Sequence, residues 1–423
     1  MNKFWTRIFI TCAIILLVLF FSNDFGLIDI QKSAVIAAIG IDVGERESAF
    51  DVTLQIAVPD QSGNGKASNV TVKNARTMGD AVTEVNRKTG WYPSLVHCKL
   101  LLLGEKTAES DVFDALNYFL RSDFVDDSCL IAACEKRADE VLNAKSPIGE
   151  LTATAVAKVL SSEAQKTGAV SVMNLRDFTK GYYGKSESGY LPCVSLKKEA
   201  QSGESGQTQS QTQKSKLIKF RLPPRRKPLP IYKPVPAAEI FAGKETQSES
   251  AADVFDASKT MLFRRGKKAA ILDTEETLAF NLADTATHLA YGNVTVTENG
   301  VPATYCLKMK ISKKKQELRL QGNAPVFTFH IRAHAQVTDA NRAHDLYETA
   351  ETARVPEHVL RSAEQTFENK LAAVCEKSKR SGSDVFEILQ KLYRRFPSKF
   401  EDLKNEILQN VHVVYDIRFD TLH

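Results

Sequence analysis

The sequence predicts a multi-domain α+β protein (mixed α/β), with an N-terminal domain of mixed strands and helices and a C-terminal antiparallel sheet with packed helices. Two patterns carry this prediction. Between residues 33 and 142, apolar runs of strand length alternate with amphipathic helical stretches, which favours layers of strands and helices over a β-sandwich. Between residues 293 and 381, several alternating strands precede one long amphipathic helix. With 423 residues, the chain is long enough for two or three domains.

Changes in composition along the chain predict four segments. We expect a signal or membrane-anchor segment at residues 1–28, an N-terminal domain at 29–196, a linker at 197–258 and a C-terminal domain at 259–423. Residues 200–213, mostly Gln, Ser, Thr and Gly, offer too little apolar area to offset the entropy lost on ordering. Residues 221–236 are basic and rich in proline, which favours an extended arm. The linker is either solvated or an arm that contacts anionic lipid headgroups, wall polymers or a partner.

The first residues have the layout of an export signal. Lys3 and Arg7 precede an apolar run at residues 8–21, as in a secretory signal or a short signal anchor. The run is shorter than the roughly 20 residues of a membrane-spanning helix, and Ser22 ends a poor cleavage site. We therefore expect an exported chain, and we leave open whether the segment is cleaved or retained as an anchor.

Strand and helix patterns follow each other closely in the N-terminal domain. Residues 33–58 are predicted to form a hairpin, because two apolar arms flank a polar turn. The Gly-rich loop at 61–66 lacks the order of strand, glycines and helix that a phosphate-binding loop requires. Beyond it, the periodicity predicts helices at 78–88, 111–120 and 138–142 and strands at 95–104 and 129–133.

The C-terminal domain is predicted to open with a strand, a turn, a second strand and the start of a helix over residues 261–277. A meander follows, with strands at 293–298, 303–312, 316–320 and 326–337. A long helix begins after Pro356 and is expected to stop at Gly382, since glycine is common just beyond a helix C-terminus.

Residues 382–419 are predicted to form two short helices and a closing strand. The apolar stripe of the first helix comprises Val385, Ile388, Leu389 and Leu392. Pro397 stops this helix, because the residue before a proline is driven out of the helical conformation. Ser398 and Glu401 have the spacing of a capping box, so the second helix is expected to begin at Ser398. From residue 411 to 419 the period changes to two, which predicts a half-buried strand.

The best candidate for a metal site is weak. His330 and His334 are four residues apart, but Arg332 lies between them and no acidic residue or cysteine is near in sequence. We therefore interpret both histidines as solvated surface residues. The carboxylate pair Asp126-Asp127 predicts a solvated turn, and Glu275-Glu276 predicts the first turn of a helix, where negative charge suits the helix dipole.

Nucleophilic chemistry and disulfide bonds are equally weakly supported. Ser94, His97 and Cys98 fall in or beside a predicted buried strand, and no nucleophile-elbow motif is present. Cys129 and Cys134 are five residues apart and would project to opposite faces of a strand, so we expect free thiols. A net charge of +5 over this length does not indicate a nucleic-acid-binding protein. We predict no catalytic residues, no metal and no cofactor.

Both halves of the chain carry short motifs of one known family. In the C-terminal half these are Ser-Asp-Val-Phe at 383–386, Lys-Leu-Tyr-Arg-Arg-Phe-Pro at 391–397, the closing strand, and the segment 261–277 with its Glu-Glu-Thr cluster. In the N-terminal half they are Ile-Gly-Ile-Asp at 39–42, Leu-Leu-Leu-Gly-Glu at 101–105, Tyr-Phe-Leu-Arg-Ser-Asp at 118–123 and Tyr-Leu-Pro-Cys-Val at 190–194. Together they resemble the Ger(x)C family, the C subunits of spore germinant receptors. Glu387-Ile-Leu stands where the family usually has Gly-Phe-Gly, and Phe400 stands where it usually has tryptophan.

The resemblance implies a non-catalytic, membrane-tethered subunit on the outer face of the spore inner membrane. It implies two partners, a polytopic A subunit and a transporter-like B subunit, and a role in nutrient-triggered germination. Family members usually carry a lipobox cysteine followed by Trp-Asp, whereas residues 20–29 contain no cysteine, so an uncleaved helix would have to supply the tether. Two alternatives remain: an exported protein that binds a small solute or a wall polymer by itself, and a wall-acting hydrolase with paired carboxylates in a cleft.

Overall fold

Two β-sheets, each with helices packed against it, form the described part of the chain. The computed structural model describes residues 3–22, 33–58, 66–121, 125–145, 151–161, 164, 166–198, 253–283, 287–298, 300–341 and 355–421. Most of the predicted linker (199–252) and most of the Gly-rich loop (61–65) lie outside the described residues. The α+β fold class predicted from the sequence is confirmed.

The first sheet mixes parallel and antiparallel strands. Its strands are β1 (Ser33–Val43), β2 (Phe50–Val58), β3 (Lys66–Ala75), β4 (Tyr92–Ser94), β5 (Leu100–Leu103), β6 (Leu130–Cys134), β7 (Ser188–Lys198), β8 (Asp253–Arg264) and β9 (Lys267–Leu272). They lie in the order β3-β2-β1-β5-β6-β7-β8-β9, with β4 beside the start of β1. Strands β1, β5, β6 and β7 are parallel to one another, while β2 is antiparallel to β1.

Helices cover both faces of the first sheet. The helices of this half are α1 (Lys3–Ser22), α2 (Met78–Thr89), α3 (Glu105–Glu109), α4 (Phe113–Arg121), α5 (Ala138–Asn143), α6 (Thr152–Val159) and α7 (Leu175–Tyr183). Helices α2, α4 and α7 pack on one face of the sheet through the buried side chains of Val85, Leu116 and Phe178. Helices α5 and α6 pack on the other face through Leu142 and Val156. None of the described helices has the combination of length and hydropathy that crossing a membrane requires.

Most predicted elements of the N-terminal half are confirmed. The hairpin forms as β1 and β2, and the helices predicted at 78–88, 111–120 and 138–142 form as α2, α4 and α5. The strand predicted at 95–104 is too long, because residues 95–99 form a turn in which the Cys98 amide donates to the Leu95 carbonyl (2.9 Å). The side chains of Leu95 and Cys98 are buried although they belong to this turn. An apolar run can therefore enter the core without forming a strand. Strand β3 and helices α3, α6 and α7 are additions that the sequence patterns do not predict.

The strands that follow the linker extend the first sheet. Strand β8 lies beside β7, and β9 pairs antiparallel with β8 through a turn at Arg265 and Gly266. The strand, turn, strand and helix start predicted at 261–277 is therefore confirmed. Because β7 ends at Lys198 and β8 begins at Asp253, the residues between them connect two neighbouring strands. The two halves of the chain share one sheet, while the four segment boundaries stay a prediction.

The second sheet has one buried and one solvent-facing side. Its strands are β10 (Leu289–Glu298), β11 (Val301–Gln321), β12 (Ala324–Asn341) and β13 (His412–Thr421), in that order. Its helices are α8 (Thr274–Ala283), α9 (Glu357–Ser381), α10 (Ile388–Arg395), α11 (Pro397–Leu403) and α12 (Ile407–Asn410). Along β12, Phe327, Phe329, Ile331, Ala333 and Val337 are all buried and form its core face. The first three strands are antiparallel as predicted, whereas β13 runs parallel to β12.

The strands predicted at 303–312 and 316–320 are one continuous strand, β11. The three lysines at 313–315 indicate a break in the sequence, yet all three pair with β12. A bulge between Ile311 and Lys313 shifts the alternation by one residue, so that Lys313 and Lys315 face solvent while Lys314 turns inward. The Lys314 ammonium donates to the main-chain carbonyls of Leu282, in the last turn of α8, and of Thr287, just before β10.

The C-terminal helices differ from the prediction at their starts. Helix α9 stops at Gly382 as predicted, with the glycine in the left-handed conformation (φ 68°). Helix α10 begins only at Ile388, because Glu387 is also left-handed (φ 54°). The capping box predicted at Ser398 is wrong, since α11 begins at Pro397 and has no side-chain cap. A capping box does form at α8, where Asp273 and Glu276 accept each other's amide hydrogens at 2.8 Å.

Candidate functional site

A buried carboxylate joins the two halves of the chain. Asp384, 1% exposed, accepts a hydrogen bond from the Ser186 hydroxyl (2.7 Å) and from the amides of Ile388 and Leu389 (2.8 Å each). Its own amide donates to the Ser188 hydroxyl (2.9 Å). Burial raises the pKa of Asp384, although these hydrogen bonds oppose the shift. One side chain thus starts α10 and fixes it to the residues just before β7.

A polar crevice lies at the carboxyl ends of the parallel strands β1, β5 and β6. Ligands of open α/β sheets commonly bind at this edge. The cavity has a volume of about 640 Å³. Its charged lining comprises Asp42, Glu45, Asp51, Glu105, Asp139 and Glu140, together with Lys73, Lys106, Lys136 and Arg137. The lining therefore offers both charges to a ligand.

The two buried carboxylates of the crevice are engaged by the protein itself. Asp42, 3% exposed, accepts hydrogen bonds from the amides of Ala138 (2.8 Å) and Asp139 (3.0 Å) at the start of α5. Burial raises the pKa of Asp42, against the lowering effect of these two amides. Asp51 accepts from the Asn74 amide (2.9 Å) and from the Arg137 guanidinium (3.3 Å). These carboxylates hold β1, β2 and α5 together, and the exposed side chains around them remain for a ligand.

The solvent side of the second sheet carries a network of ion pairs. Glu317, whose side chain is 6% exposed, lies 3.1 Å from both Arg319 and Arg395 and 3.2 Å from Lys315. Hydrogen bonds from Arg319, Lys315 and Arg395 lower the pKa of Glu317 to about 2. A cavity of about 300 Å³ beside it is lined by Lys313, Lys315, Glu317, Arg319, His330, Arg332 and Asp416. This cavity is lined by charged and imidazole side chains alone.

In the second sheet His330 lies opposite Asp416, whereas His334 lies opposite Lys310 and Asp420. The Nδ1 atom of His330 lies 2.8 Å from Asp416, and Arg332 holds both oxygens of the same carboxylate at 2.8 and 2.9 Å. Hydrogen bonds from His330 and Arg332 lower the pKa of Asp416. No acidic residue is near His330 in sequence, but the pairing of β13 with β12 brings Asp416 beside it. Over the residues that the structure describes, no group of three or more His, Cys, Asp and Glu side chains could hold a metal ion.

The remaining candidates from the sequence are spread apart or serve structural contacts. His97 is exposed in the turn before β5, whereas Cys98 is buried and Ser94 half-buried. Cys129 packs beside Cys98, and this neighbouring thiol together with burial raises the pKa of Cys129. Cys129 and Cys134 belong to the cores on opposite faces of the first sheet, as their spacing predicts, and both are free thiols.

Both predicted carboxylate pairs lie where the sequence places them. Asp126 and Asp127 are exposed in a turn, and Glu275 and Glu276 fall in the first turn of α8. No sequence pattern distinguishes Asp42, Glu317 and Asp384 as the central residues of these sites. Asp384 falls within a motif of the resemblance, but no spacing rule links it to Ser186, 198 residues away.

Comparisons with known proteins identify the class of both halves. The family described as "Spore germination protein N-terminal domain" matches residues 27–196. The family described as "Spore germination B3/ GerAC like, C-terminal" matches residues 258–421. The two regions lie on either side of the linker and together cover more than half of the chain. The chain therefore belongs to the GerAC-like family of spore germination proteins, which confirms the Ger(x)C resemblance.

Two individual proteins are similar to this chain. "Spore germination protein KC" of Bacillus subtilis (strain 168) is 24% identical over 175 residues, which are 39% of this chain and 43% of that protein. The match thus spans less than half the length of this curated relative. A solved structure described as "Crystal Structure of the GerBC protein" is 16% identical, covers 92% of this chain and 99% of that chain, and has a TM-score of 0.48.

Proposed function

We propose that this chain is a non-catalytic, membrane-tethered subunit of a spore germinant receptor, needed for nutrient-triggered germination through assembly with A-type and B-type subunits. The observation that carries the proposal is the presence of both family regions, in order, at residues 27–196 and 258–421. The spore germination protein KC is named for the same process. The partners are those that the Ger(x)C resemblance implies: a polytopic A subunit and a transporter-like B subunit.

Three buried carboxylates support a binding role over a catalytic one. Asp42 holds the start of α5, Asp384 holds the start of α10, and Glu317 is held by three cationic side chains. A general acid or base needs a perturbed group that can reach a substrate proton. In each of these sites the carboxylate oxygens are already occupied by protein donors. The arrangement stabilises the subunit and leaves its surfaces for assembly.

Helix α1 is the proposed tether on the outer face of the spore inner membrane. Its described side chains include Trp5, Phe9 and Leu16, which are 70%, 75% and 68% exposed. Large apolar side chains exposed along one helix favour burial in another apolar phase. Since residues 20–29 contain no lipobox cysteine, α1 has to provide this contact without a lipid.

Deletion of the gene in a strain that has no other nutrient receptor tests the proposal. Spores of the deletion strain should stay refractile after nutrient addition. A reintroduced copy of the gene should restore the nutrient-triggered loss of refractility. Germination with a stimulus that bypasses receptors should stay normal, which excludes a general spore defect. Normal nutrient response in the deletion strain would contradict the proposal. Cell fractionation tests the tether separately, because a chain that lacks residues 1–28 should leave the membrane fraction.

A second candidate function is that of an exported protein that binds a small solute by itself. The crevice at the ends of β1, β5 and β6 favours it, since its lining offers exposed Lys73, Lys106 and Lys136 beside Glu45 and Glu140. Such a lining fits a small solute with both charges. A raised thermal midpoint of the full chain with small zwitterions, lost in Lys136→Ala, would support this candidate, and an unchanged midpoint would exclude those solutes.

A further inference from the structure

The solvent side of the second sheet concentrates positive charge. We define the basic face as the solvent-facing residues of β11 from 308 to 319, of β12 from 328 to 336 and of β13 from 412 to 420. Its cationic side chains are Lys308, Lys310, Lys313, Lys315, Arg319, Arg332 and Arg418. Its carboxylates are Glu317, Asp416 and Asp420. Seven cations against three carboxylates give the basic face a net charge of +4.

The positive charge of the basic face does not reflect a high positive charge over the whole protein. The full chain has 56 cationic and 51 acidic residues, a net charge of +5. Residues 199–252 alone contain nine Lys and Arg against five Glu, a net charge of +4. The rest of the chain therefore has a net charge of +1. Outside the basic face, this remainder is net acidic by three charges.

Three cations of the basic face stand directly opposite one another on neighbouring strands. Lys313 pairs with Arg332 across β11 and β12, and Arg332 pairs with Arg418 across β12 and β13. Like charges in directly opposite positions of a sheet destabilise it. Asp416, in the next row, offsets part of this repulsion through Arg332. A row of like charges that destabilises the sheet is expected where those charges bind a partner.

Two of the three carboxylates of the face, Glu317 and Asp416, are already held by donors, while Asp420 lies in the row of Lys310 and His334. Glu317 contacts three cations and Asp416 contacts Arg332 and His330, so neither carboxylate neutralises the lysines further along β11. Among the described residues, Lys308, Lys310 and Lys313 have no ion-pair partner. The bulge after Ile311 keeps Lys313 on the same side as Lys308 and Lys310. Unpaired cations next to saturated carboxylates leave a surface that favours an anionic partner.

We propose that the basic face binds the anionic phospholipid headgroups of a bilayer. Its cations form a line along β11, roughly 35 Å long, and a second line across three strands, about 10 Å wide. Such a two-dimensional array matches an extended anionic surface better than one compact anion. Each Lys or Arg near an anionic leaflet adds to the attraction. The inference rests on the membrane tether proposed above, because α1 would bring the face within reach of headgroups.

Lysine footprinting of the full chain in vesicles tests this inference. The chain is reconstituted in vesicles of phosphatidylcholine alone or with phosphatidylglycerol, and acylation of each lysine is followed by mass spectrometry. In the anionic vesicles the acylation rates of Lys308, Lys310 and Lys313 should fall about five-fold or more, the ratio that the attraction of one lysine to an anionic leaflet supports. At about 0.5 M salt the protection should disappear, since the screening length is then only about 4 Å. Equal rates in both vesicles would overturn the inference.

A charge-neutral variant tests whether the face acts as a unit. In the variant Lys308→Gln, Lys310→Gln and Lys313→Gln, the remaining Lys315 should lose its protection in anionic vesicles. The matched control removes three exposed lysines elsewhere, through Lys99→Gln, Lys158→Gln and Lys267→Gln, and should leave Lys315 protected. Equal protection of Lys315 in both variants would contradict the inference. If the first variant fails to fold, the comparison of the two vesicles with the wild-type chain still decides.

The same experiment separates failure of the face from failure of the tether. If the full chain does not float with neutral vesicles, the proposed tether is wrong. The difference in lysine acylation between neutral and anionic vesicles tests the basic face separately. If the face lysines are protected only when partner subunits are present in neutral vesicles, the face binds protein and the lipid inference is overturned. Protection by an anionic wall polymer but not by anionic vesicles overturns it in the same way.

Discussion

Replacing Asp384 with alanine should strongly weaken the connection between the two halves of the chain. The substitution leaves the Ser186 hydroxyl and the amides of Ile388 and Leu389 without their acceptor. A buried donor without a partner costs about 1–3 kcal/mol, and three donors lose their acceptor here. Relief of the desolvated carboxylate offsets part of this. We expect the free energy of unfolding to fall by about 3–5 kcal/mol.

Urea unfolding of the full chain in a mild detergent, followed by circular dichroism, measures this loss. Asp384→Asn should lose about half as much, because the amide keeps one acceptor but turns its NH₂ group toward a donor. Asp402→Ala, an exposed aspartate on α11, is the control and should stay within about 0.5 kcal/mol of the wild type. A change below about 1 kcal/mol for Asp384→Ala would refute the role of this carboxylate.

Three further predictions concern the second sheet and the helices beside it. Because the pKa of Glu317 is lowered from 4.5 to about 2, its contribution is complete above pH 4.5 and is lost as the pH falls toward 2. The urea midpoint should therefore drop less steeply in Glu317→Gln over that range, and parallel curves would count against the ion pairs. Gly382→Ala should cost about 1–2 kcal/mol for its positive φ (68°), with a small further cost because the guanidinium of Arg264 would have to move away from the new Cβ. Gly322→Ala, with φ 65° and open space around it, isolates the first cost, so equal losses would exclude the clash. Phe329→Ala should cost about 3–5 kcal/mol in thermal or urea unfolding, since this ring is fully buried against Phe386 and Tyr415, and a loss under 1 kcal/mol would mean that the core collapses around it.

Elements with a strong, uninterrupted period could be predicted from the sequence. Helix α9 keeps an apolar stripe from Leu360 to Val374 and ends at a glycine, and β12 alternates over its whole length. The bulge in β11 could not be predicted, because three consecutive lysines look like a loop until β12 pairs with them. The direction of β13 depends on where the chain returns after α12, and local patterns do not contain that information.

The candidate sites were harder to predict than the elements, since each depends on residues distant in sequence. His330 meets Asp416 across 86 positions, and Asp42 meets the start of α5 across 96. Sequence neighbours alone predict solvated histidines, because Asp416 becomes a neighbour of His330 only when β13 pairs with β12. The row of Lys313, Arg332 and Arg418 exists only in the register of the assembled strands.

The shared first sheet has a consequence for how the protein can be divided. Expressed alone, the N-terminal family region would leave the edge of β7 unpaired, and the C-terminal region would leave β8 without its neighbour. A cut between Lys198 and Asp253 would spare every strand of this sheet. Two fragments made separately on either side of that cut should therefore recombine into one particle, whereas each by itself should aggregate.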